Sequence, residues 1–549
     1  MKTLITTLNS KFIHTSLSLR LLYVATYKKH DVYFKEYTIK DHIEHIVDDI
    51  LDYHYDAVAF SCYIWNIEYI QEICVLLKEK KKDIVIILGG PEVTYEPEHF
   101  LKNKNIDYVI SGEGEVIFEQ LLTSLEKKEN IDIQGISYQG HISKEIACVD
   151  LSYVETLDSP YNLPQDKEHM AQRILYFETS RGCPFQCQYC LSSLEKGLRF
   201  FSADYLKKQL HIILHSGAKT IKFLDRSFNA NVQHAIMILD YIFQNYQEGQ
   251  QFQFEINADV LQQPIIDFIK ENAPMGLLRF EIGIQSTYEP TNKAVKRIQN
   301  FERLSEVVKQ LMEDGKCDLH LDLIAGLPYE TYDRFKKSFD DVFTFRAKEL
   351  QLGFLKLLRG TSLRTNANDY GYMYQTQPPY EMISNHWMNA NDIENIHMAE
   401  DMLEKYWNSG RFVRTMNEIM DHVSSPFDFF YRLGCFYKEN HFKRLGYQLD
   451  ELFMYLDQFM NDKYIHELLI QDYLSNFKVK PKKWYLSTLS SHQRKEVIKQ
   501  LVEVYHLDPE LLFRYAIVEK IQQGYLVVIY KDFQCQMNIY KIIDEVEIE

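Results

Sequence analysis

RILYFETSRGCPFQCQYC, residues 173–190, joins an apolar run to a loop that carries three cysteines within eight positions. The run RILYFETS is rich in aromatic and β-branched residues, which is typical of a strand. The glycine and proline that follow predict that the strand ends in a loop. We therefore expect the thiols of Cys183, Cys187 and Cys190 to stand together at the end of this strand.

Five further strand-like runs follow this loop, and a helical stretch separates each from the next. The runs are KTIKFLD, QFQFEIN, LLRFEIGIQS, DLHLDLIAGLP and ELQLGFLKL. Six β/α units in succession predict a partial or complete parallel barrel over residues 171–360. The cysteine loop then lies at the carboxyl end of the first barrel strand, where β/α barrels carry their chemistry.

Residues 1–128 show a second alternation of strands and helices, which predicts a doubly wound parallel sheet and places the whole chain in the α/β class. Ligands of such sheets lie outside the carboxyl ends of the strands. The loops at that edge are residues 9–14, 61–66, 89–94 and 111–115. No G-x-G-x-x-G follows the first strand, so a nicotinamide or flavin dinucleotide site is not indicated.

The remaining segments complete a four-part organisation. Weak periodicity over residues 129–170 predicts a small flap and a linker. Residues 361–549 are predicted to be mostly helical, with two strands at the end, and to form a lid or substrate domain.

Composition excludes several classes of protein. The net charge of −17 argues against a general polyanion binder. Nine cysteines without a signal peptide favour a reducing compartment, and we expect a cytoplasmic protein. No apolar run reaches the roughly 18 residues that a membrane span needs.

Three kinds of site can use the cysteine trio. A structural zinc site wants four organised ligands, and no second C-x2-C or H-x3-H follows. A catalytic zinc with three thiolates on one short loop is unusual. A [4Fe–4S] cluster usually takes four cysteine thiolates, so three leave one iron open for a ligand. The open iron explains why the loop has only three thiols.

The loop resembles the signature of the radical S-adenosylmethionine (radical SAM) superfamily, C-x3-C-x-aromatic-C after the first barrel strand, with Tyr189 as the aromatic residue. The resemblance implies that the open iron chelates SAM. It also implies SAM contacts at the ends of later strands, although the common Gly-Gly-Glu is absent from the second. These candidate residues are Leu224, Asp225, Arg226, Glu255, Asn257, Gln285, Ser286 and Leu323.

The N-terminal region resembles the cobalamin-binding domain of one radical SAM subgroup, on the phrases GGPEVT and SGEGE. The Asp-x-His-x-x-Gly motif that supplies a lower cobalt ligand is absent, and a capping or packing role is expected for His14. The resemblance implies cobalamin contacts along the carboxyl edge. The candidate residues are Asn9, His14, Ser61, Trp65, Gly89, Gly90, Pro91, Glu92, Gly112 and Glu113.

Together the two resemblances imply an enzyme with a [4Fe–4S] cluster, SAM and cobalamin that methylates an unactivated carbon. A radical rearrangement, cyclisation or other non-methylating step is the first alternative. A cluster-bearing SAM or oxygen sensor without turnover is the second. A methylthiotransferase is disfavoured, because the N-terminal region lacks a further cysteine trio. We expect a small molecule, lipid or peptide substrate rather than nucleic acid, and a low-potential electron donor such as flavodoxin or ferredoxin.

Overall fold

The computed structural model describes residues 1–195 and 197–541. Its first sheet has six strands in the order β2-β1-β3-β4-β5-β6. The first five strands are parallel, and β6 runs antiparallel to β5. The strands are β1 Thr3–Asn9, β2 Val32–Thr38, β3 Ala57–Ser61, β4 Val85–Gly89, β5 Tyr108–Ile110 and β6 Ile136–Tyr138.

Helices cover both faces of this sheet, as its sequence predicts. Every residue of β1 is buried, which is expected of a central strand packed on two sides. Two separate apolar clusters form, one around Ile70 and Leu88 and the other around Leu19 and Phe118. The helices are α1 Leu17–Thr26, α2 Ile43–Asp52, α3 Ile67–Lys80, α4 Pro91–Thr94, α5 Pro97–Phe100, α6 Ile117–Lys127 and α7 Leu151–Glu155.

The second sheet has the strand order β14-β13-β12-β11-β10-β7, so each barrel strand lies beside its predecessor. The predicted parallel β/α series is confirmed. A short antiparallel pair, β8 with β9, is added after β7. The strands are β7 Ile174–Phe177, β8 Ser180–Arg181, β9 Arg199–Phe200, β10 Thr220–Phe223, β11 Gln251–Ile256, β12 Leu278–Gln285, β13 Cys317–Ala325 and β14 Glu349–Phe354.

Side chains capping the first turns begin several helices of this series. Ser202, Asn231 and Asn300 accept hydrogen bonds from backbone N–H groups of α8, α9 and α12 respectively. The helices are α8 Ala203–Leu214, α9 Val232–Asn245, α10 Gln263–Asn272, α11 Glu289–Ala294, α12 Phe301–Met312, α13 Tyr332–Phe343 and α14 Ser362–Thr365. A two-stranded pair, β15 Met373–Tyr374 and β16 Met382–Ser384, follows.

The barrel strands are buried on one face only. Buried and partly exposed residues alternate along β12 and β13. The buried positions carry apolar side chains such as Phe280 and Leu321, whereas the other face carries polar ones such as Glu281 and His320. One face is therefore an apolar core and the opposite face is open to a ligand.

The chain divides into two compact units, residues 1–335 with 352–390 and residues 336–351 with 391–549. The second unit is mostly helical, as predicted. Its helices are α15 Ala390–Leu403, α16 Val413–His422, α17 Pro426–Glu439, α18 Leu449–Met460, α19 Lys463–Ser475 and α20 Ser491–Tyr505. Its strands are β17 Ala516–Ile521, β18 Gly524–Lys531 and β19 Gln534–Tyr540.

One prediction in this unit is wrong. The sequence predicts two strands at the end of this region, but residues 516–521 form a third, β17, which pairs antiparallel with β18. The β-branched residues Ile517, Val518 and Ile521 are buried there, and pairing with β18 satisfies their backbone groups. Within the described ranges, we find no helix of the length and apolarity that crossing a bilayer requires.

Candidate functional site

The cysteine loop is closed at its base by the pairing of β8 with β9, where Arg181 lies opposite Arg199. Gly182 adopts φ +91°, and a Cβ there would lie 2.0 Å from the carbonyl oxygen of Gly197. Only glycine allows the two ends of the loop to approach so closely.

The three cysteines of the loop are free thiols. Cys187 is buried and the other two are half-buried. Burial raises the pKa of Cys183, and the nearby charges of Cys190 and Cys187 raise it further. Within residues 1–195 and 197–541, no three His, Cys, Asp or Glu side chains form a group that could hold a single metal ion. A [4Fe–4S] cluster does not need its thiolates to converge on one metal, because each thiolate binds a separate iron.

Asp225 fixes the start of this loop. Its carboxylate accepts hydrogen bonds from Thr179 N at 3.0 Å, Thr179 Oγ1 at 2.6 Å and Ser180 Oγ at 2.5 Å. The side chain is buried, which raises its pKa despite these donors. Leu224 N also donates to Phe177 O at 2.7 Å. Asp225 was expected to contact SAM, but its carboxylate oxygens are directed at its own chain.

Charged and polar groups follow at the ends of β10 and β11. Arg226 lies 3.7 Å from Glu255, whose pKa is raised by burial. Arg226 is also close enough to Cys190 and Cys183 for their charges to raise its pKa against the opposing effect of burial. Asn257 Nδ2 donates to Ser227 Oγ at 3.1 Å. Arg226 therefore lies close to the cysteine loop, at the end of the neighbouring strand β10.

At the end of β12, Gln285 has a strained backbone and a side-chain oxygen that accepts no hydrogen bond from the described residues. Gln285 adopts φ +68°, a backbone conformation that costs free energy for any residue other than glycine. Its buried Oε1 has no hydrogen-bond partner in the described part of the chain. The neighbouring Ser286 donates to Glu330 at 2.7 Å. An unpaired buried acceptor on a strained residue is typical of a ligand-binding position.

Leu323 does not reach the open face of the sheet. It is fully buried on the same face of β13 as Leu319 and Leu321, because it is an even number of residues away from both. The adjacent Ile324 occupies the open face instead. The position of Leu323 therefore does not support the expected contact with SAM.

Arg297 lies in the site although no sequence motif pointed to it. Its Nη1 is 4.0 Å from Cys187 Sγ and 3.5 Å from Tyr189 OH. Its Nη2 is 3.5 Å from Asn257 Oδ1. Burial raises the pKa of Tyr189 although the guanidinium of Arg297 opposes this. The only signal in the sequence is its place shortly after GIQS.

The carboxyl edge of the first sheet holds the predicted cobalamin residues. Trp65 stacks on Tyr63 with ring centres 4.4 Å apart, and 45% of Trp65 is exposed. Asn9 Nδ2 donates to His14 O at 2.9 Å, and Ser61 Oγ lies 3.2 Å from Ser18 Oγ. The stacked pair gives this edge a flat, accessible surface.

His14 faces the barrel. Its Nδ1 is 2.8 Å from Tyr176 OH, and its carbonyl accepts from Arg173 at 2.5 Å. Burial lowers its pKa, and the charges of Lys11, Lys222 and Arg173 lower it further. These contacts agree with the packing role that the sequence favoured over cobalt ligation.

Contacts within the protein explain why glycines are needed in the GGPEVT and SGEGE loops. A Cβ on Gly90, at φ +101°, would lie 2.7 Å from Cys62 O. A Cβ on Gly112, at φ +98°, would lie 2.3 Å from Ala147 O. By contrast, a Cβ on Gly89 would meet only Ile110 at 3.8 Å, an ordinary contact. Pro91 opens the short helix α4 directly after Gly90.

The glutamates of these motifs bind arginines of the barrel segment. Glu92 is 4% exposed and accepts from Arg359 at 3.2 Å and from Tyr380 OH at 2.5 Å. Arg359 also pairs with Glu96. Burial raises the pKa of Glu92, although its two donors oppose this.

A second group of ion pairs joins the SGEGE loop to the cysteine loop. Arg181 donates to Glu115 at 2.6 Å and to Glu178 at 2.7 Å. Arg199 pairs with Glu113, which also accepts from Val149 N at 2.6 Å. The carboxyl edges of the two sheets are therefore joined by ion pairs, and Glu92 and Glu113 are used within the protein.

A separate cavity lies away from this edge. It has a volume of about 770 Å³ and is lined by residues that include Lys219, Tyr246, Gln251 and Met275. Lys219 and Gln251 stand at the starts of β10 and β11. The cavity is thus at the amino ends of the barrel strands, opposite the cysteine loop.

Three family models match successive parts of the chain. They are the B12 binding domain over residues 3–122, the Radical SAM superfamily over 177–342 and a protein family of unknown function, DUF4080, over 368–547. The matches follow the first sheet, the barrel and the C-terminal region.

Two curated relatives are similar over parts of the chain. An uncharacterized methyltransferase of Pyrococcus horikoshii is 35% identical over 177 residues, which are 30% of this chain and 38% of that protein. The cobalamin-dependent radical SAM methyltransferase TokK of Streptomyces tokunonensis is 24% identical over 349 residues, 59% of this chain and 50% of that protein. The chain therefore spans half or less of the length of these relatives.

Two solved structures share the fold. The cobalamin-dependent SAM radical enzyme OxsB superposes with a TM-score of 0.60 and 16% identity, covering 92% of this chain and 79% of that one. The methyltransferase TsrM of Kitasatospora setae, with cobalamin and a [4Fe–4S] cluster bound, gives a TM-score of 0.57 and 15% identity, covering 69% of this chain and 79% of that one.

Proposed function

Because the chain is a radical SAM superfamily protein with an N-terminal B12 binding domain and a C-terminal DUF4080 domain, we propose that it is a cobalamin-dependent radical SAM methyltransferase. The observation that carries the proposal is the position of Cys183, Cys187 and Cys190. They are free thiols at the carboxyl end of the first barrel strand, on the edge that is bonded to the B12 binding domain.

In this proposal the three thiolates hold a [4Fe–4S] cluster and the edge of the first sheet holds cobalamin. When bound, the cluster with SAM supplies a radical able to remove a hydrogen atom, and cobalamin supplies the methyl group. The donor set fits the cluster, since three thiolates leave one iron open to SAM.

Protein groups around the loop would orient SAM. Tyr189 and Asn257 flank Arg297 beside Cys187. The unpaired Oε1 of Gln285 supports a hydrogen bond from a ribose hydroxyl. Arg226 and Glu255 would offer one charge of each sign to the amino-acid part of SAM.

At the carboxyl edge of the first sheet, the stack of Trp65 on Tyr63 supports contact with the flat corrin ring. Ser61 and Gly89 end adjacent strands and lie opposite each other in register. We propose that the nucleotide tail of cobalamin runs along them. Glu92 and Glu113 are proposed to hold the first sheet against the barrel rather than to contact cobalamin, since their carboxylates pair with Arg359 and Arg199.

The substrate is proposed to be a small molecule, a lipid or a peptide. The net charge of −17 disfavours nucleic acid. The electron is proposed to come from flavodoxin or ferredoxin, proteins of low potential.

The first test is anaerobic purification with cobalamin supplied, followed by assays of iron, sulfide, cobalt and SAM cleavage. We expect about four irons for the one cluster, with bound cobalt and reductant-dependent 5′-deoxyadenosine. Cys187→Ala should lose the iron and the cleavage, whereas Cys148→Ala, at an exposed thiol outside the loop, should keep both. Persistent 5′-deoxyadenosine formation by Cys187→Ala would exclude the proposed site.

A non-methylating radical reaction is the second candidate. One relative, the anaerobic magnesium-protoporphyrin IX monomethyl ester cyclase of Synechocystis, is 23% identical over 279 residues. Product mass separates the two, because methylation adds one CH2 to the substrate and cyclisation does not. Cluster and cobalamin binding without any SAM cleavage would instead favour a sensor.

A further inference from the structure

Three aromatic side chains lie together beyond the carboxyl end of β13, and none of them belongs to the residues assigned above to SAM or cobalamin. The ring centres of Tyr329 and Trp387 are 4.6 Å apart. The ring of Tyr370 is 6.4 Å from Tyr329 and 6.2 Å from Trp387. Tyr329 is 48% exposed, and the other two are partly exposed. We call these three residues the aromatic platform.

The backbone at Tyr329 is strained and is held on both sides. Tyr329 has φ +66°, a conformation that costs free energy for any residue other than glycine. Before it, Pro328 O accepts a hydrogen bond from Thr291 Oγ1 at 2.8 Å. After it, the buried Glu330 accepts from Ser286 Oγ at 2.7 Å. An exposed tyrosine kept in a strained conformation by its anchored neighbours is typical of a functional position.

The other two rings are fixed to the same strand end. The carbonyl of Gly326, directly after β13, accepts hydrogen bonds from Tyr372 OH and from Asn385 Nδ2, both at 2.9 Å. Tyr372 follows Tyr370 closely in the chain, and Asn385 Oδ1 accepts from Trp387 N at 2.8 Å. The chain therefore positions the aromatic platform before any ligand binds.

The aromatic platform lies at the same barrel edge as the cysteine loop. Leu363 N, in the helix α14 that precedes Tyr370, donates to Gln188 O at 3.1 Å. Gln188 stands in the cysteine loop, next to Cys187. On the opposite side, the bond from Ser286 joins the loop after β13 to the end of β12. The three rings are thus attached to the edge where the proposed chemistry occurs.

We propose that the aromatic platform binds a flat aromatic ring of the substrate. Aromatic rings prefer stacked or edge-to-face contacts with centres about 4.5–7 Å apart, and these contacts stabilise a complex beyond the apolar area that they bury. The exposed surface of Tyr329 can accept one more ring in this way. An aliphatic chain would gain from the buried area alone. The inference rests on the proposed function and narrows its substrate to molecules that contain such a ring.

The test is isothermal titration calorimetry of the full-length protein loaded with cluster and cobalamin. Indole is the flat probe, and cyclohexanol is the non-planar one. Tyr329→Gly removes the ring and the backbone strain, whereas Tyr329→Phe keeps the ring. Tyr246→Ala is the matched control, because Tyr246 is 38% exposed but lines the cavity at the amino ends of the strands. Iron, cobalt and SAM affinity are measured for every variant.

We expect Tyr329→Gly to weaken indole binding about tenfold, an effect typical of losing one aromatic stacking partner. Tyr329→Phe and Tyr246→Ala should bind indole as the wild type does, and the wild type should bind cyclohexanol less tightly than indole. The melting temperature of Tyr329→Gly should change little, because glycine adopts a positive φ without strain. A role in stability alone would instead lower the melting temperature and leave indole binding unchanged.

The inference is overturned if Tyr329→Gly binds indole as the wild type does, if the wild type does not bind indole, or if indole and cyclohexanol bind equally. If Tyr329→Gly loses its iron, Trp387→Leu takes its place with the same expected result. A matching loss of SAM affinity in Tyr329→Gly would assign the ring to the adenine of SAM and would also overturn the inference. A wild-type protein without iron and cobalt contradicts the proposed function instead, so the two failures are distinguishable.

Discussion

Asp225 shows how one buried carboxylate organises a functional loop. It accepts hydrogen bonds from two residues that stand directly before the cysteines, Thr179 and Ser180. Thr179 Oγ1 is also 2.9 Å from His234 Nε2, a ring whose pKa burial lowers to about 4. The sequence predicted that Asp225 lies at the end of the second barrel strand. The tertiary packing determined that its carboxylate binds the start of the cysteine loop.

Asp225→Asn tests this role. The amide keeps the size of the side chain but replaces an acceptor oxygen with a donor facing Thr179 or Ser180. Removing one charged partner from a buried hydrogen-bonded group costs about 1–3 kcal/mol. We expect a loss of that size in the free energy of unfolding, measured by denaturant titration, and weaker iron retention.

Asp259→Asn is the control for Asp225→Asn, because the hydrogen bond that the described residues give Asp259 is an exposed one, from Asn300 N. It should change stability by less than about 0.5 kcal/mol. Equal losses in the two variants would contradict a special role for Asp225.

At the scale of the element, the β8–β9 pair closes the cysteine loop at its base. The strands have only two residues each, Ser180–Arg181 and Arg199–Phe200. So short a pair is stable only because its neighbours hold it: Arg181 binds Glu115 and Arg199 binds Glu113. The pair thereby joins the two ends of the segment that carries the three thiols.

Gly182→Ala should open this element. The new Cβ would lie 2.0 Å from Gly197 O at a backbone angle of φ +91°. We expect the loop to shift, at a cost of about 1–3 kcal/mol, with a drop in the iron bound after reconstitution.

Gly217→Ala separates backbone strain from the clash. Gly217 also has a positive φ, +87°, but a Cβ there would meet nothing within 4 Å. This variant should lose some stability and keep its iron. Full iron binding by Gly182→Ala would show that loop closure is not required.

At the scale of the whole molecule, ion pairs fix the first sheet against the barrel. Glu36 accepts from Arg20 at 3.0 Å and from Arg173 at 2.8 Å, and Arg20 also pairs with Asp166 at 2.7 Å. All four side chains are largely buried. Burial opposes the charge of Glu36, but the two arginines outweigh it and hold its pKa below the ordinary value.

The lowered pKa of Glu36 makes this contribution depend on pH. Its stabilisation is complete above the unfolded-state pKa of about 4.3 and is lost as pH falls through the lower folded-state pKa. Glu36→Gln should cost about 3–5 kcal/mol at neutral pH, because it removes the carboxylate that is paired with the buried Arg173 and leaves Arg20 paired with Asp166 alone. The difference from wild type, measured by urea unfolding at successive pH values, should shrink only in acid.

Glu306→Gln provides the baseline for Glu36→Gln, since Glu306 pairs with Arg303 at the surface. It should cost no more than about 1 kcal/mol at any pH. A difference between Glu36→Gln and wild type that stays constant through the acid range would contradict the lowered pKa.

The sequence by itself determined the fold class and the place of the cysteines. Runs rich in aromatic and β-branched residues predicted the first barrel strand, and the alternation of strand-like and helical stretches predicted both parallel sheets, because each signal is contained in a short stretch of sequence. The spacing of Cys183, Cys187 and Cys190 is equally local, and no tertiary information is needed to see it.

Only the tertiary structure decided the partners of the charged residues. Glu92 stands in a loop motif, yet it binds Arg359, 267 positions later in the chain. Arg297 reaches Cys187, 110 positions earlier. Periodicity indicates which face a side chain occupies, but a counter-charge depends on which distant segment packs there. The sequence therefore located the cysteine loop, and the packing of distant segments determined which charged residues pair with one another across the first sheet and the barrel.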